Sequence, residues 1–187
     1  MLYGPVAKYR HFARKPYKRK LGVIGEVARM FGMFKSSPFS DDQLGELHRA
    51  GGMWRGTIDL GEVRAPLALP GSRSAPDPRA LDIARTVPSA YPEWRGLIAV
   101  AMFEHYAPYA ETVAAGELEP PGEGLPRVTQ PDEVWPHTDV QFVAVITLDG
   151  ELTVEIGYRV AWDEEHTLGA RLRNGRLVEL NGSVLPS

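Results

Sequence analysis

A group of ionisable residues follows a tryptophan near the end of the chain, in the stretch WDEEHT at 162–167. Asp163, Glu165 and His166 place two carboxylates and an imidazole within four positions. Oxygen and imidazole ligands suit a divalent metal, and a metal-bound water is a strong nucleophile. These three residues are the candidates for a metal-assisted hydrolase, with His137 as a further contributor.

The spacing of this group argues against a metal site. Neighbouring residues on a turn point in different directions, whereas metal ligands normally converge from several elements. The chain has no H-E-x-x-H pattern and no cysteine. We therefore favour a polar turn between two strands, in which Asp163 accepts from backbone N–H groups and His166 anchors a carbonyl. On this interpretation the chain has no catalytic residue, metal or cofactor. Spacing alone does not decide whether His105, His137 and His166 meet.

Cysteine usage and hydropathy limit the class of protein. The 187-residue chain contains no cysteine, which excludes a disulfide scaffold and a thiol nucleophile and is compatible with a reducing cytoplasm. Its apolar runs fall short of the ~20 residues that span a bilayer. The stretch 21–34 follows basic residues as a signal peptide would, but Glu26 and Arg29 interrupt it and no cleavage pattern follows. We expect a cytoplasmic protein.

Charge divides the chain into two parts. Residues 1–35 carry nine basic residues and one acidic residue, whereas residues 36–187 carry twelve basic and 23 acidic ones. All five lysines lie in the first part. With the turn-prone KSSPFSDD at 35–42, this shift predicts a basic N-terminal segment at 1–38 and one domain at 39–187.

The N-terminal segment combines basic and aromatic residues. Tyrosine and phenylalanine alternate with seven basic residues that are candidates for contact with nucleic acid or an anionic membrane: Lys8, Arg10, Arg14, Lys15, Lys18, Arg19 and Lys20. A solvated tail, or one attracted to the acidic body, explains the same composition without a specific partner. Apolar residues at helical spacing predict an amphipathic helix over 21–35.

The first half of the body shows a hairpin and two helices. Alternation over 51–71 predicts a hairpin whose second strand, containing Pro66, lies at a sheet edge. A helix is predicted at 74–87, capped by Asp77. A second begins near Pro92 and is kinked at Pro108.

A proline-rich connection precedes the last part of the chain. Residues 116–138 hold five prolines, and long irregular connections in compact domains often serve a function. Trp135 indicates that the far end of the connection is ordered. Here Asp132, Glu133, Trp135 and His137 are the candidates for contact with a protein partner.

The remaining residues predict a four-stranded meander. Asp149-Gly150 and Asn174-Gly175 separate β-rich runs, and both dipeptides favour type I′ turns. The fold class that follows is α+β: an antiparallel sheet, made of the N-terminal hairpin and the C-terminal meander, packed with two or three helices. Trp162 ends an apolar strand and is expected in the core.

The order of motifs resembles a set of uncharacterised bacterial domains that open with Asp-x-x-Leu-Gly-x-Leu…Trp-x-Gly and close with Trp-Asp-x-Glu-His-x-x-Gly. The matching positions are Asp41 or Asp42, Leu44, Gly45, Leu47, Trp54, Gly56, Trp162, Asp163, Glu165, His166 and Gly169. The resemblance spans about three quarters of the chain and leaves out the basic N-terminus. It implies an immunity-like role, and it carries no assigned catalytic residues. It also implies that WDEEH has a structural role in the fold rather than a catalytic one.

Three function classes stay open. The favoured one is a non-enzymatic module whose acidic body engages a protein partner, with a basic one, such as a nuclease toxin, suited to the charge. The alternative is the hydrolase built on Asp163, Glu165 and His166. The weaker alternative is nucleic-acid or membrane binding through residues 8–20. The oligomeric state is left open.

Overall fold

The computed structural model describes residues 36–185. The helix predicted for 21–35 and the seven basic candidates between residues 8 and 20 lie outside these residues.

The described residues form eight strands, one α-helix and one 3-10 helix. The strands are β1 (Phe39–Asp41), β2 (Gly45–Ala50), β3 (Met53–Asp59), β4 (Arg64–Leu69), β5 (Thr138–Leu148), β6 (Glu151–Val160), β7 (Asp163–Arg173) and β8 (Arg176–Gly182). Helix α1 spans Pro78–Ala114, and the 3-10 helix spans Pro131–His137. The α+β class is confirmed, although the sheet is larger than predicted.

All eight strands belong to one sheet in sequence order. The N-terminal hairpin and the C-terminal meander, which were predicted to form one antiparallel sheet, are joined where β4 pairs with β5 through Leu67–Val143 and Ala68–Ala144, and this junction departs from the prediction. This pair is parallel, and the other six neighbouring pairs are antiparallel. A parallel pair needs a long crossover, which α1 and the 3-10 helix provide.

The meander of β5 to β8 is confirmed with its turns. Asp149 and Gly150 have φ of 53° and 80°, and Asn174 and Gly175 have φ of 52° and 75°. Positive φ at both central residues is what a type I′ turn requires, so these sequences select the tight connections that keep the strands in register.

The prediction of an edge strand at Pro66 is wrong. β4 lies inside the sheet, between β3 and β5. Pro66 is tolerated because the short pairing with β5 starts only at Leu67, so no ladder hydrogen bond to β5 is needed at the proline nitrogen.

The two predicted helices are one helix of 37 residues, about 55 Å long. Asp77 caps it as expected, accepting from the Arg79 and Ala80 N–H groups at 2.9 and 3.1 Å. The predicted break between the two helices, after residue 87, is absent, because α1 continues through Pro88, Pro92 and Pro108. None of the three prolines is buried, and an uninterrupted apolar stripe packs on the sheet: Ala84, Val87, Tyr91, Trp94, Ile98, Met102 and Tyr106. Burial of this stripe outweighs the lost backbone hydrogen bonds.

The main core lies between α1 and one face of the sheet. It includes Trp54, Leu67, Ile156, Tyr158 and Trp162, all with 1% exposure or less. The expectation for Trp162 is thus confirmed. A smaller apolar cluster on the other face contains Ala68, Ala144 and Ile146.

Candidate functional site

The residues of WDEEHT lie in a bulge, not in a tight turn. Only Ala161 and Trp162 connect β6 to β7, so the predicted turn at 163–166 is the beginning of a strand. The ladder pairs Val160 with Asp163 and Tyr158 with Leu168, which leaves one residue on β6 opposite four on β7. The surplus residues, 164–167, depart from the ladder. This irregularity permits side chains three positions apart to approach each other.

Asp163 is the centre of the resulting cluster. Its carboxylate is 8% exposed and accepts from the Tyr109 hydroxyl at 2.9 Å. His166 Nδ1 lies 2.9 Å from the other oxygen. Burial alone would raise the pKa of Asp163, but the bonds from His166 and Tyr109 outweigh it and lower that pKa. An ionised carboxylate therefore joins α1 to β7.

The partners of His166 fix its tautomer. Because the Asp163 carboxylate is ionised, Nδ1 carries the proton and donates it, which leaves Nε2 as the second nitrogen. The side chain is 64% exposed. The bond to Asp163 and its negative charge raise the pKa of His166 above the ordinary value.

His105 has the opposite environment. The Trp162 indole N–H donates to His105 Nδ1 at 3.1 Å, so the proton of the neutral imidazole lies on Nε2. Its ring packs on Tyr109, with ring centroids 5.4 Å apart. Burial lowers the pKa of His105, and protonation at Nδ1 would also break the bond from Trp162. His105 is therefore a neutral packing residue.

The cluster offers one oriented imidazole that solvent can reach. An Asp–His pair of this kind can accept a proton from water through Nε2. Glu165 contributes only its charge, which raises the pKa of His166. His137 lies near the start of this segment, since its carbonyl accepts from the Ala161 N–H at 3.0 Å and the residue lines a cavity with Glu164. Within residues 36–185 no three His, Cys, Asp or Glu side chains are grouped to hold a metal ion.

The four predicted partner-binding residues share the 3-10 helix, Pro131–His137, which we call the ridge. Val134 anchors the ridge in the core with no exposed surface. Glu133 stabilises the beginning of the ridge, because its carboxylate accepts hydrogen bonds from the Thr129 N–H and hydroxyl at 2.7 and 2.9 Å. The backbone bond from Thr129 is the main cause that lowers the pKa of Glu133. Glu133 is therefore a structural residue, and Asp132 remains as the outward carboxylate.

Trp135 is packed, as predicted, yet only partly covered. Its ring lies 6.1 Å from that of Tyr158, centroid to centroid. The guanidinium of Arg95 covers the Trp135 ring at 4.4 Å and also pairs with Glu62. A cation over an indole face with a carboxylate beside it is a favourable arrangement.

Two cavities adjoin the ridge, one at Asp132 and Trp135 and the other at Pro136 and His137. The first, about 570 Å³, is lined by apolar surface from Leu60, Tyr91, Pro92 and Trp135 and by the charged groups of Glu62, Arg95 and Asp132. The second, about 500 Å³, is lined by Glu123, His137, Asp139, Arg159 and Glu164. The long connection thus contributes to both cavities.

Negative charge is concentrated in two stretches of the chain that contribute four carboxylates to these cavities. Residues 104–139 and 159–166, which we call the acidic end, hold eleven acidic residues and two basic ones. The rest of 36–187 holds twelve acidic and ten basic residues. The acidic end is joined in space, because Tyr109 binds Asp163, His105 binds Trp162, and Glu123 and Glu164 line one cavity.

The sequence also identifies the family. A family model described as Domain of unknown function (DUF6985) matches residues 45–184. The chain belongs to the DUF6985 family. No curated protein and no solved structure gives a significant match to it. None of the helices within 36–185 has both the length and the apolar content that crossing a bilayer requires.

Sequence reasoning missed several residues that hold the domain together. Tyr109 carried no pattern, because it follows Pro108 where a kink was expected. Asp41 is a motif residue, yet its ion pair with Arg85, 2.5 Å between Nη2 and Oδ2, joins positions 44 apart. Arg95 and Glu62 were likewise not selected. No local spacing signals contacts of this range.

Proposed function

We propose that this DUF6985 domain is a non-enzymatic protein-binding module that uses its acidic end to engage a basic protein partner. The observation that carries the proposal is the concentration of charge in the acidic end, eleven acidic against two basic residues, with four of the carboxylates lining the cavities beside the ridge. Such a surface accelerates the approach of a cationic partner and disfavours anionic ones.

The geometry of the acidic end supports recognition more than catalysis. The ridge is held from below by Val134, which is fully buried, and at its start by Glu133. A rigid ridge loses little conformational freedom on binding, which favours affinity. The resemblance to immunity-like bacterial domains favours a basic toxin enzyme as the partner, with inhibition as the outcome.

The test is capture of partners on the immobilised full-length chain, followed by measurement of affinity for the purified partner at several salt concentrations. The variant Glu117→Gln/Glu123→Gln/Glu164→Gln neutralises three exposed carboxylates of the acidic end. The matched control, Asp42→Asn/Glu93→Gln/Asp149→Asn, removes the same charge from exposed positions elsewhere.

A basic partner whose affinity falls with salt, and falls about tenfold further in the acidic-end variant than in its control, is the expected result. Equal losses in the two variants would reduce the effect to net charge and contradict the assignment of the surface. For an immunity role, co-expression with the partner should suppress the partner's enzymatic activity.

A second candidate function rests on the Asp163–His166 pair. The oriented, accessible imidazole of His166 is the part of a hydrolytic site that the cluster does provide. Protein purified without chelator should be assayed for zinc, manganese and nickel and compared with His166→Ala. Stoichiometric metal that is lost in this variant, with the fold retained, would favour the hydrolase over the binding module.

Nucleic-acid or membrane binding through residues 8–20 is a third candidate, based on their composition alone. Neutralising those basic residues in the full chain, and measuring binding to single-stranded DNA and to anionic vesicles, tests it separately from the acidic end.

A further inference from the structure

We infer that the ridge and its two cavities form a two-pronged docking surface for an extended segment of the partner, in which two basic side chains enter the two cavities along Pro131–His137. This inference rests on the proposed binding function and specifies its contact surface. It goes beyond net charge, because it requires shape and spacing as well.

The first cavity fits the side chain of an arginine or lysine. Leu60, Tyr91 and Pro92 provide apolar wall for the aliphatic stem, while Asp132 provides a carboxylate for the charged head. Among the described residues Asp132 has no ion-pair partner. The molecule already contains the same arrangement, since Arg95 lies over Trp135 and pairs with Glu62. A guest cation would pair with Asp132 as Arg95 pairs with Glu62.

The second cavity offers more charge and less apolar surface. Its Asp139 is paired with Arg159 at 2.8 Å, whereas Glu123 and Glu164 have no ion-pair partner among the described residues. His137 adds a hydrogen-bonding group at the ridge. Two carboxylates that line one space favour a guanidinium or ammonium group.

The length of the ridge determines the spacing of the two guest side chains. Asp132 lines the first cavity and His137 the second. Five residues of 3-10 helix rise about 10 Å. An extended segment in the polyproline II conformation covers about 9 Å in three residues, and its first and fourth side chains point to the same side because it has three residues per turn. Two basic residues separated by two others therefore match the ridge, whereas adjacent basic residues do not.

Gly96 allows one cavity to be filled without disturbing the fold. It is exposed on α1 and lines the first cavity, and a Cβ added there meets no atom within 4 Å. Gly96→Phe should therefore fill the cavity while improving helix propensity. Gly96→Ala is the matched control, because it improves propensity and leaves the cavity open.

The probe is a fluorescein-labelled eight-residue peptide of glycine and serine with two arginines, the second placed three positions after the first. Binding to the full-length protein is measured by anisotropy at low ionic strength, where charges are weakly screened. Control peptides carry adjacent arginines, or citrulline, the neutral analogue, in place of both. Gly96→Phe should weaken binding about tenfold or more, as loss of a charge-assisted contact would, whereas Gly96→Ala should not.

Two variants separate the effect of the carboxylates in the cavities from that of the general charge of the acidic end. Glu123→Gln/Asp132→Asn/Glu164→Gln changes the cavities, and Glu111→Gln/Glu117→Gln/Glu119→Gln changes exposed residues of the same acidic end outside them. A much larger loss in the first variant, together with preference for the spaced peptide, supports the inference.

Equal losses in the two carboxylate variants, or equal binding of the two arginine peptides, would overturn the two-pronged surface while leaving a charge-driven module intact. Peptide binding that Gly96→Phe does not change would overturn it as well. If the peptide does not bind but a basic partner is captured through the acidic end, the inference fails alone. If neither binds, the proposed function fails with it.

Discussion

Asp163 and Glu155 are both buried carboxylates paired with a nitrogen base on β7, but the two bases differ in what they leave available. Arg171 is 4% exposed, and its nitrogens donate to Glu155 at 2.8 Å, to the Gly182 carbonyl at 2.7 Å, and to Glu179. His166 uses only Nδ1 and is 64% exposed. We call Glu155–Arg171 the closed pair, because it is buried. We call Asp163–His166 the open pair, because Nε2 of the exposed His166 remains available.

The surroundings of Glu155 explain why the arginine pair is structural. Its second oxygen accepts from the Ser183 hydroxyl at 2.7 Å and the Val184 N–H at 3.2 Å. Gly169 makes room for it, since a Cβ there would lie 2.9 Å from the Glu155 carboxyl carbon. The network therefore joins β6, β7 and the residues after β8. A buried charge that is fully hydrogen-bonded specifies the structure but offers no atom to a ligand.

The largest effect should come from opening the closed pair. Arg171→Met leaves the Glu155 carboxylate buried without its counter-charge, and we expect a loss of about 3–5 kcal/mol in the free energy of unfolding. Urea unfolding followed by circular dichroism measures it. The double variant Glu155→Met/Arg171→Met removes both charges and should recover part of the loss. A single-variant loss no greater than that of His166→Gln would break the comparison.

Trp162 connects the open pair to the core and should give the next largest effect. Trp162→Ala removes a side chain that is 1% exposed, and we expect a loss of about 3–5 kcal/mol. Trp162→Phe retains much of the packing and removes the bond to His105, so its loss should be smaller. Thermal unfolding of both variants tests the order. A loss below about 1 kcal/mol in Trp162→Ala would mean that Trp162 is not a core residue.

Sequence reasoning selected both residues of the open pair and neither residue of the closed pair. WDEEHT was conspicuous because its ionisable residues are adjacent, and the association of Asp163 with His166 is local. Glu155 and Arg171 are separated by a turn and occupy alternating strand positions, where a solvated face is the ordinary expectation. They meet because β6 and β7 pair Glu155 with Arg171 in register. Only the register brings such residues together.

The same reasoning explains which elements were predictable. The tight turns at Asp149-Gly150 and Asn174-Gly175 depend on two adjacent residues, so the β5–β8 meander followed from the sequence. The continuity of α1 across Pro88 and Pro92 depends on the sheet beneath it. The parallel pairing of β4 with β5 depends on residues about 75 positions apart, such as Leu67 and Val143. Tertiary burial decided these two features.

Tyr109 should contribute less than Trp162 to the open cluster. Tyr109→Phe removes the hydroxyl that donates to Asp163 at 2.9 Å and leaves the ring in place. Bonds to charged groups are worth about 1.5–3 kcal/mol, and partial exposure puts this one at the lower end. The variant should also raise the pKa of Asp163, because that bond contributes to lowering it. In the Asp163→Asn background, Tyr109→Phe should cost less free energy of unfolding than it does in the parent. A double-mutant cycle measures this difference.

The smallest effect is a pH dependence that separates His166 from His105. His166 has a raised pKa in the folded protein, because of its bond to Asp163 and the charge of that carboxylate. Its stabilisation is therefore complete below the unfolded-state pKa of about 6.5 and is lost as pH rises through the folded-state pKa. His105 has a pKa lowered by burial. Its contribution is present above about pH 6.5 and is lost as pH falls through that range towards the folded-state pKa.

NMR titration of the two imidazoles should place His166 above and His105 below the ordinary histidine pKa. The difference in unfolding free energy between the parent and His166→Gln should shrink as pH rises above about 6.5. The stability lost in Arg171→Met should show no pH dependence that comes from Arg171 itself near pH 6.5, because a guanidinium stays charged there. If both histidines titrate together at the ordinary pKa, Asp163 does not orient His166. The open pair would then provide neither the anchored imidazole of a binding surface nor the base of a hydrolase.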